Sequence, residues 1–515
     1  MTTAQAQTGR TITSNIPARL DRLPWSRWHW TIVIGLGTVW ILDGLEVTVV
    51  GNIAGRLSEP GSGLPITSGQ VTGIAAALYV AGACLGALFW GRLTDKWGRK
   101  KLFMITLAVY LAATALTSVS FDTWWFLTFR FLTGFGIGGE YAAINSAIDE
   151  LIPAQYRGRV DLMINGSFWL GAVGGSLLSI LALNTDFFAA NVGWRLTFAL
   201  GAALALVILL VRRHVPESPR WLLIHGRDEE AERIVSSIEK RVEAETGEPL
   251  ARPEGEITIH QRRSVSFVEI GRTVFSDYRR RAVLGFSLFI GQAFLYNAIT
   301  FGFGAILTTF YDVPTGDTGY YFAVIAVGNF FGPLLLGKLF DTVGRKVMIS
   351  STYILSGLLL FGTAWLFDRG SLSAGTLTAC WCAVLFFASA GASSAYLTVS
   401  EVFPMETRAM SIAFFYAIGT AAGGISGPLL FAELTGTGKV GDTVLAFQIG
   451  AALMCLAGLV AAALAVRAER RSLEDIATPL TAASEPGSAS GSVASAATGS
   501  TGEGASGSGS RAATA

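Results

Sequence analysis

Asp43 and Glu46 interrupt an otherwise apolar run, Thr31–Val50, which reads TIVIGLGTVWILDGLEVTVV. Such a run is long enough to cross a hydrocarbon core of roughly 30 Å as a helix. Three residues apart, the two acids project from one helical face. A charge at that depth costs between about 2.5 and more than 10 kcal/mol, so it normally faces a wet cavity and does work there. The chemistry open to this pair is uptake and release of a proton. The competing structural reading is that one acid neutralises a cation on a neighbouring helix. Arg130 is that cation by depth: at 1.5 Å per residue Asp43 lies about 20 Å above the inner end of its span, and Arg130 about 21 Å. Glu140 lies about 15 Å deeper than Arg130 and is out of reach of that partner. It reads as a second proton site, an inner-gate residue or a member of a local structural pair.

These groups need a membrane scaffold to hold them, and the composition supplies one. Hydrophobic residues make up 51% of the 515, charged residues 15%, and the mean hydropathy is +0.50. A soluble domain carries about 25% charged residues, so the chain is an integral membrane protein. A net charge of +1 says little about nucleic-acid or acidic partners, and no nucleic-acid partner is expected. Cys84, Cys380, Cys382 and Cys455 lie in apolar segments and offer neither a disulfide framework nor a metal site. No nucleotide loop or nucleophile–base arrangement occurs, which argues against an enzyme and against a cofactor; a proton gradient is the expected energy source. The first twenty residues have no apolar signal core, so the first span is expected to be its own insertion signal.

Apolar runs place twelve spans, near residues 30–50, 71–91, 102–120, 124–148, 160–182 and 195–212, then 282–308, 318–340, 346–366, 375–399, 410–431 and 444–466. Of the 38 Lys and Arg, Arg56, Arg195, Arg369 and Lys439 fall on one side, Arg130 is intramembrane, and the rest share the other side. By that bias both termini are cytoplasmic. The expected organisation is a cytoplasmic tail (1–27), a six-helix half (28–212), a cytoplasmic linker (213–280), a second six-helix half (281–467) and a low-complexity, disordered cytoplasmic tail (468–515). The linker contains an amphipathic helix with apolar positions at Ala231, Ile234, Val235 and Ile238. The tail beyond about Thr478 is too poor in large apolar residues to fold.

The two halves repeat each other. Gly91-x-Leu-x-Asp95-x-x-Gly98-Arg99-Lys100 recurs as Gly337-x-Leu-x-Asp341-x-x-Gly344-Arg345-Lys346, and Glu150-x-x-Pro153-x-x-x-Arg157 recurs as Glu401-x-x-Pro404-x-x-x-Arg408. Glycine lets neighbouring helices approach closely, and Asp95 and Asp341 can accept hydrogen bonds from a helix N-terminus or from Arg99 and Arg345. Such a charged rim forms a gate that holds one closed state, with Glu150, Arg157, Glu401 and Arg408 in the same network. Lys100 and Lys101 read as positive-inside anchors.

The G-x-L-x-D-x-x-G-R-[KR] loop and its repeat resemble the signature of the major facilitator superfamily, whose two parallel halves enclose a mid-membrane site. The resemblance covers roughly residues 28–467 and implies alternating access by rocking of the halves. PESPRWLL (216–223), Arg130 opening RFLTGFGIGG, and Ser400-Glu401-Val-Phe-Pro404 resemble the sugar porter branch and its metabolite-transporting relatives. That resemblance implies Asp43 as the proton-coupling acid paired with Arg130, and Gln292 and Asn297 as substrate-binding amides. Tyr396 stands where a tryptophan is usual, the Gly-Pro of the tenth helix is absent, and Gly291 replaces a further glutamine. Asp43-Gly44-Leu45-Glu46 resembles the D-G-x-D of aromatic acid:proton symporters, and Gly138-Gly139-Glu140-Tyr141 the organic-acid and osmolyte symporters.

Amides and aromatics suit a cavity that orients a small polar solute. Asn165, Trp169, Gln292, Tyr296, Asn297, Asn329 and Tyr396 are the candidates; Trp169 and Tyr296 read equally as helix packing. The expectation is a monomeric, all-α transporter of the cytoplasmic membrane that imports a small organic metabolite with protons. The rivals are a proton-driven exporter, which Gly423-Gly424-x-x-Gly427-Pro428 keeps open, and a non-transporting membrane sensor.

Overall fold

The structure is a computed structural model describing residues 11–58, 60–67, 70–182, 187–212, 216–253, 255–260, 272, 275–276, 278–313, 317–404 and 408–477. Helices of twenty residues or more dominate it. In chain order, after the short strand β1 (Thr11–Ser14) and helix α1 (Ile16–Asp21), they begin with α2 (Arg27–Ser58). A π-helical turn at Gln70–Ala75 leads into α3 (Ala76–Trp97), followed by α4 (Arg99–Ser118), α5 (Thr123–Leu151), α6 (Arg157–Ala182) and α7 (Gly193–Arg212). Helices α8 (Pro219–Ile224) and α9 (Asp228–Thr246) and strand β2 (Ile257–His260) follow. The second set is α10 (Arg279–Tyr311), α11 (Thr318–Thr342), α12 (Arg345–Asp368), α13 (Ala374–Val402), α14 (Arg408–Gly436) and α15 (Val440–Leu464), closed by a turn of helix, α16 (Leu473–Ile476).

Among the described residues, eleven helices are long and apolar enough to cross a membrane. Helix α5 is long enough but not among them; it carries Arg130 and Glu140 within its span and Asp149 and Glu150 in its last turn. Its ends are nonetheless well defined, with Asp122 accepting the Trp124 N–H at 3.0 Å as an N-cap. Leu85, Phe89, Leu177, Val207, Leu335 and Leu358 point outward, as lipid-facing residues do.

The two sets pack alike. Helix α2 lies along α6 and α3 along α5, just as α10 lies along α14 and α11 along α13. The backbone approaches match in detail. Gly171 lies against the Ile41 carbonyl and Gly175 against that of Leu45; Gly423 meets Ile290 and Gly427 meets Phe294. Gly82 and Gly86 face Phe131 and Phe135, while Gly328 and Gly332 face Cys382 and Phe386. This correspondence puts Gln292 where the first set has Asp43, Leu295 where it has Glu46, and Trp381 where it has Arg130. Between the sets, α6 packs on α11 and α3 on α14.

The segment between the sets folds as its pattern predicts. Ala231, Val235, Ile238 and Val242 form the buried stripe of α9, with Ile234 half-buried beside it. The N-terminal residues dock onto this helix. Strand β1 pairs antiparallel with β2, Thr11 opposite His260 and Ser14 opposite Ile257. Arg19 donates to Glu232 at 2.7 Å and to Glu239 at 2.6 Å. Of the tail, residues 468–477 pack with Ala468, Leu473 and Ile476 buried, while 478–515 lie outside the described residues.

Candidate functional site

Two clusters of buried charge emerge, one at mid-helix and one at the helix ends. Asp43 and Glu46 on α2 and Arg130 on α5 are each no more than 3% exposed. Arg130 binds Glu46, not Asp43: its Nη1 donates to Glu46 Oε1, and Thr114 on α4 donates to Glu46 Oε2 at 3.2 Å. This corrects the pairing expected from depth. A depth estimate cannot separate two acids one turn apart, and the tertiary packing decided between them. Asp43 instead accepts two phenol hydroxyls, from Tyr79 on α3 at 2.6 Å and from Tyr141 on α5. The Arg130 guanidinium also lies over the Tyr79 ring, 4.7 Å from its centroid. Two acids three residues apart thus have different environments: one is paired with a cation, the other held by neutral donors.

Glu140 is fully buried and accepts from Thr106 on α4 at 2.7 Å. Around Asp43 the walls are aromatic and come from both sets. Trp40 stacks on Tyr141 with centroids 4.6 Å apart, and Tyr416 meets the Tyr141 edge at 4.9 Å. Tyr396 lies 5.7 Å from Trp40 and 4.9 Å from Phe289. The other expected cavity residues partly satisfy one another. Tyr296 donates to Asn329 at 3.0 Å and tilts against Trp169 at 5.4 Å, while Asn165 donates to Asn145 at 3.0 Å. Asn297 donates to the Ala293 carbonyl at 2.8 Å one turn back, and Gln292 is buried close by on α10.

The second cluster joins the two sets. Arg99 binds Glu150 at 2.7 Å, and Arg345 binds Glu401 at 2.9 Å, the same pair in each repeat. The cross-links are exchanged: Arg157 reaches Glu401 at 3.8 Å and Arg408 reaches Glu150 at 3.6 Å. Asp341 accepts from Arg345 at 2.7 Å and also caps α6, taking the Gly158 and Arg159 amides at 3.0 and 2.7 Å. Those amides are orphan donors of a helix start, and a carboxylate is the partner such a start favours. A Cβ on Gly158 would meet the Arg345 guanidinium at 2.3 Å and the Asp341 carboxylate at 2.6 Å, so a side chain there would push both head groups out of this arrangement. Gly98 and Gly344 hold φ of +96° and +117°, which glycine adopts without strain, and each turns the chain into the next helix. Gly91 ends in the last turns of α3; the Asp95 side chain lies outside what the structure describes.

Several members carried no readable signal. Glu217 caps α4 through the Arg99 amide at 2.8 Å, and Glu469 does the same for α12 through Arg345 at 3.4 Å. Asp21, from the N-terminal segment, holds Arg220 at 3.0 Å and Arg157 at 3.5 Å. Asp149 is fully buried beside Arg157 and Arg408, and Asp161 is fully buried near Arg345. None of the five belongs to the repeated motif, and only packing brings them in.

A helical membrane fold of two matched sets, with buried charge at mid-helix and an ion-paired cluster joining the sets at one end, is the arrangement of the major facilitator superfamily. The fold aligns with the proton:xylose symporter XylE bound to 6-bromo-6-deoxy-D-glucose, with a TM-score of 0.70 and 17% identity over 87% of this chain and 98% of that one. Against the partially occluded inward open conformation of XylE from E. coli the TM-score is 0.61, with 18% identity over 84% of this chain and 97% of that one. The chain belongs to the family described as "Sugar (and other) transporter", which matches residues 60–479. Relatives include the niacin transporter NiaP of Acinetobacter baylyi, 27% identical over 82% of this chain and 90% of that protein. The 4-hydroxybenzoate transporter PcaK of Pseudomonas putida is 24% identical over 91% of this chain and all of that protein. The arabinose-proton symporter of Bacillus subtilis is 27% identical over 79% and 87%. The family and these relatives are transporters, and the chain is a transport protein and not an enzyme.

Proposed function

We propose that this chain imports a small organic metabolite together with protons by alternating access, with no bound cofactor. The observation that supports it is the pairing of an acid site at mid-helix with an ion-paired closure at one end. Asp43, held by neutral hydroxyls, takes the role of the proton-carrying group. Glu46 and Arg130 form a fixed charge pair beside it. The organisation belongs to the proposal: twelve spans in two halves (28–212 and 281–467) joined by a linker (213–280), both termini cytoplasmic, and a monomer in the cell membrane. On that topology the ion-paired end is the cytoplasmic gate, closed here.

Gln292, Asn297, Asn329, Asn165 and Tyr396, with Trp169 and Tyr296, form the expected solute site. Aromatic walls with a few amides suit a small planar or partly apolar solute. The niacin and 4-hydroxybenzoate transporters among the relatives point to the same class. The test is uptake into proteoliposomes with an imposed pH gradient, using a panel that includes nicotinate, 4-hydroxybenzoate and arabinose. Accumulation of one solute that follows the gradient, abolished by Asp43→Asn while solute exchange continues, is the expected result. Wild-type accumulation by Asp43→Asn would remove Asp43 from the coupling role.

A further inference from the structure

We infer that Tyr141 is the positioning residue that transmits the protonation of Asp43 to the second set of helices. The inference rests on Asp43 being the coupling acid. It starts from an unusual double position: the Tyr141 hydroxyl donates to Asp43 Oδ2, while its ring is shared by both sets. Trp40 stacks on one face at an interplanar angle of 15°, and Tyr416 and Tyr396 approach the ring from α14 and α13 at 4.9 and 6.5 Å. Tyr141 is 7% exposed, so it cannot exchange these partners for bulk water.

The chemistry of the carboxyl makes this bond conditional. An ionised carboxylate only accepts, and here it takes one hydroxyl on each oxygen. Adding a proton to Asp43 turns one oxygen into a donor and weakens the other as an acceptor, so one tyrosine loses a charge-assisted hydrogen bond. The groups around Asp43 decide which. Glu46 shares its helix, Tyr79 approaches from α3, and Arg130 and Tyr141 approach from α5. Helix α6 presents the Phe168 backbone beside Gly44. Tyr79 is clamped under the Arg130 guanidinium, which Glu46 holds in turn, and all of these belong to the first set. Of the two phenols, it is the Tyr141 ring that packs against rings of the second set. Its release frees the ring to move with Tyr416 and Tyr396, so the proton on Asp43 loosens a contact between the halves.

The experiment needs no known solute. The full-length protein in lipid is followed by hydrogen exchange at the Gly158 and Arg159 amides, which Asp341 protects across the two sets. Exchange is compared at acidic and mildly alkaline pH after correction for the intrinsic pH effect. Wild type should change by about tenfold, the worth of one hydrogen bond to a charged group. Asp43→Asn and Tyr141→Phe should both be flat, although Tyr141→Phe keeps the ring. Tyr416→Leu keeps the Tyr141–Asp43 bond and removes the partner across the interface; it should be flat as well, and it decides the matter if Tyr141→Phe does not fold. A wild-type response in Tyr141→Phe, or in Tyr416→Leu, overturns the inference and leaves the Asp43 reading intact. A wild-type response in Asp43→Asn, or none in wild type, overturns both.

Discussion

The ion-paired end and the mid-helix site obey opposite rules. At the helix ends each set supplies the same parts: Arg99 with Glu150, Arg345 with Glu401, and exchanged contacts from Arg157 and Arg408. At mid-helix only the first set is charged. Gln292, Leu295 and Trp381 stand in the second set where Asp43, Glu46 and Arg130 stand in the first. A closure between two halves needs both halves to contribute, and duplication gives that directly. On the proposed function a single protonatable acid suffices, and an unpaired buried charge in the second set would add a desolvation cost. On that same proposal, the closure is built from duplicated parts and the coupling site from residues that the second set does not repeat.

The sharpest way to break that comparison is to give the first set the residues of the second. Arg130→Ala strands Glu46 as an unpaired buried carboxylate, and the expected loss of stability is about 3–5 kcal/mol. The double replacement Glu46→Leu with Arg130→Trp copies the Leu295 and Trp381 environment and should recover most of that loss, because a buried pair and an apolar pair of similar volume are often equivalent. Thermal unfolding of the purified proteins in detergent reads both. A double variant no more stable than Arg130→Ala would show that the two mid-helix environments are not interchangeable.

A smaller effect sharpens the symmetry of the closure. Arg157→Ala and Arg408→Ala each remove one exchanged contact, so each should open the ion-paired end severalfold. Arg157 also holds Asp21 and accepts a role at the C-terminal segment, donating to the Arg471 carbonyl at 3.4 Å. Its variant should therefore open more than that of Arg408. Accessibility of a cysteine introduced at that end, in a background without the native cysteines, measures it. Equal openings would mean that the terminal segments add nothing.

The smallest effect concerns the docking of the N-terminal segment on α9. Burial pushes the Glu239 carboxyl up, but hydrogen bonds from Arg19 and Arg22 outweigh it and hold the group below its usual range. Arg19 holds Glu232 down in the same way. Depressed carboxylates stabilise the folded arrangement above their unfolded value of about 4.3, and that contribution is lost as pH falls through the lowered native range. Because Glu232 is half exposed, the expected contribution is at most about 1 kcal/mol. Hydrogen exchange of residues 11–22 should therefore speed up in acid, and Arg19→Ala should weaken that acid dependence, leaving only the share that Arg22 holds through Glu239. An unchanged acid response in Arg19→Ala would place the sensitivity elsewhere.

Much of this was legible because it is periodic or repeated. The apolar runs located the long helices, the stripe Ala231, Val235 and Ile238 located α9, and the two duplicated motifs supplied the arginines and glutamates of the rim without saying which acid each arginine meets. The choice between Asp43 and Glu46 for Arg130 was not legible. The two acids share a face and differ by one turn, and Thr114, Tyr79 and Tyr141 reach them from three other helices. Glu469 and Asp21 were equally silent, and Glu217, inside the PESPRWLL stretch, gave no sign of its partner, since a helix cap delivered from a distant segment leaves no local spacing to read.

The amino-acid sequence by itself determined a helical membrane protein with two repeats, buried acids and a charged rim, because hydropathy and duplication are written along one dimension. Tertiary structure alone decided which charge meets which. It set Arg130 on Glu46, left Asp43 to two phenols, and carried one of those phenols to the second repeat. Pairing in a low-dielectric interior depends on ångström-scale proximity between helices far apart in the chain, and spacing along a single helix does not encode that.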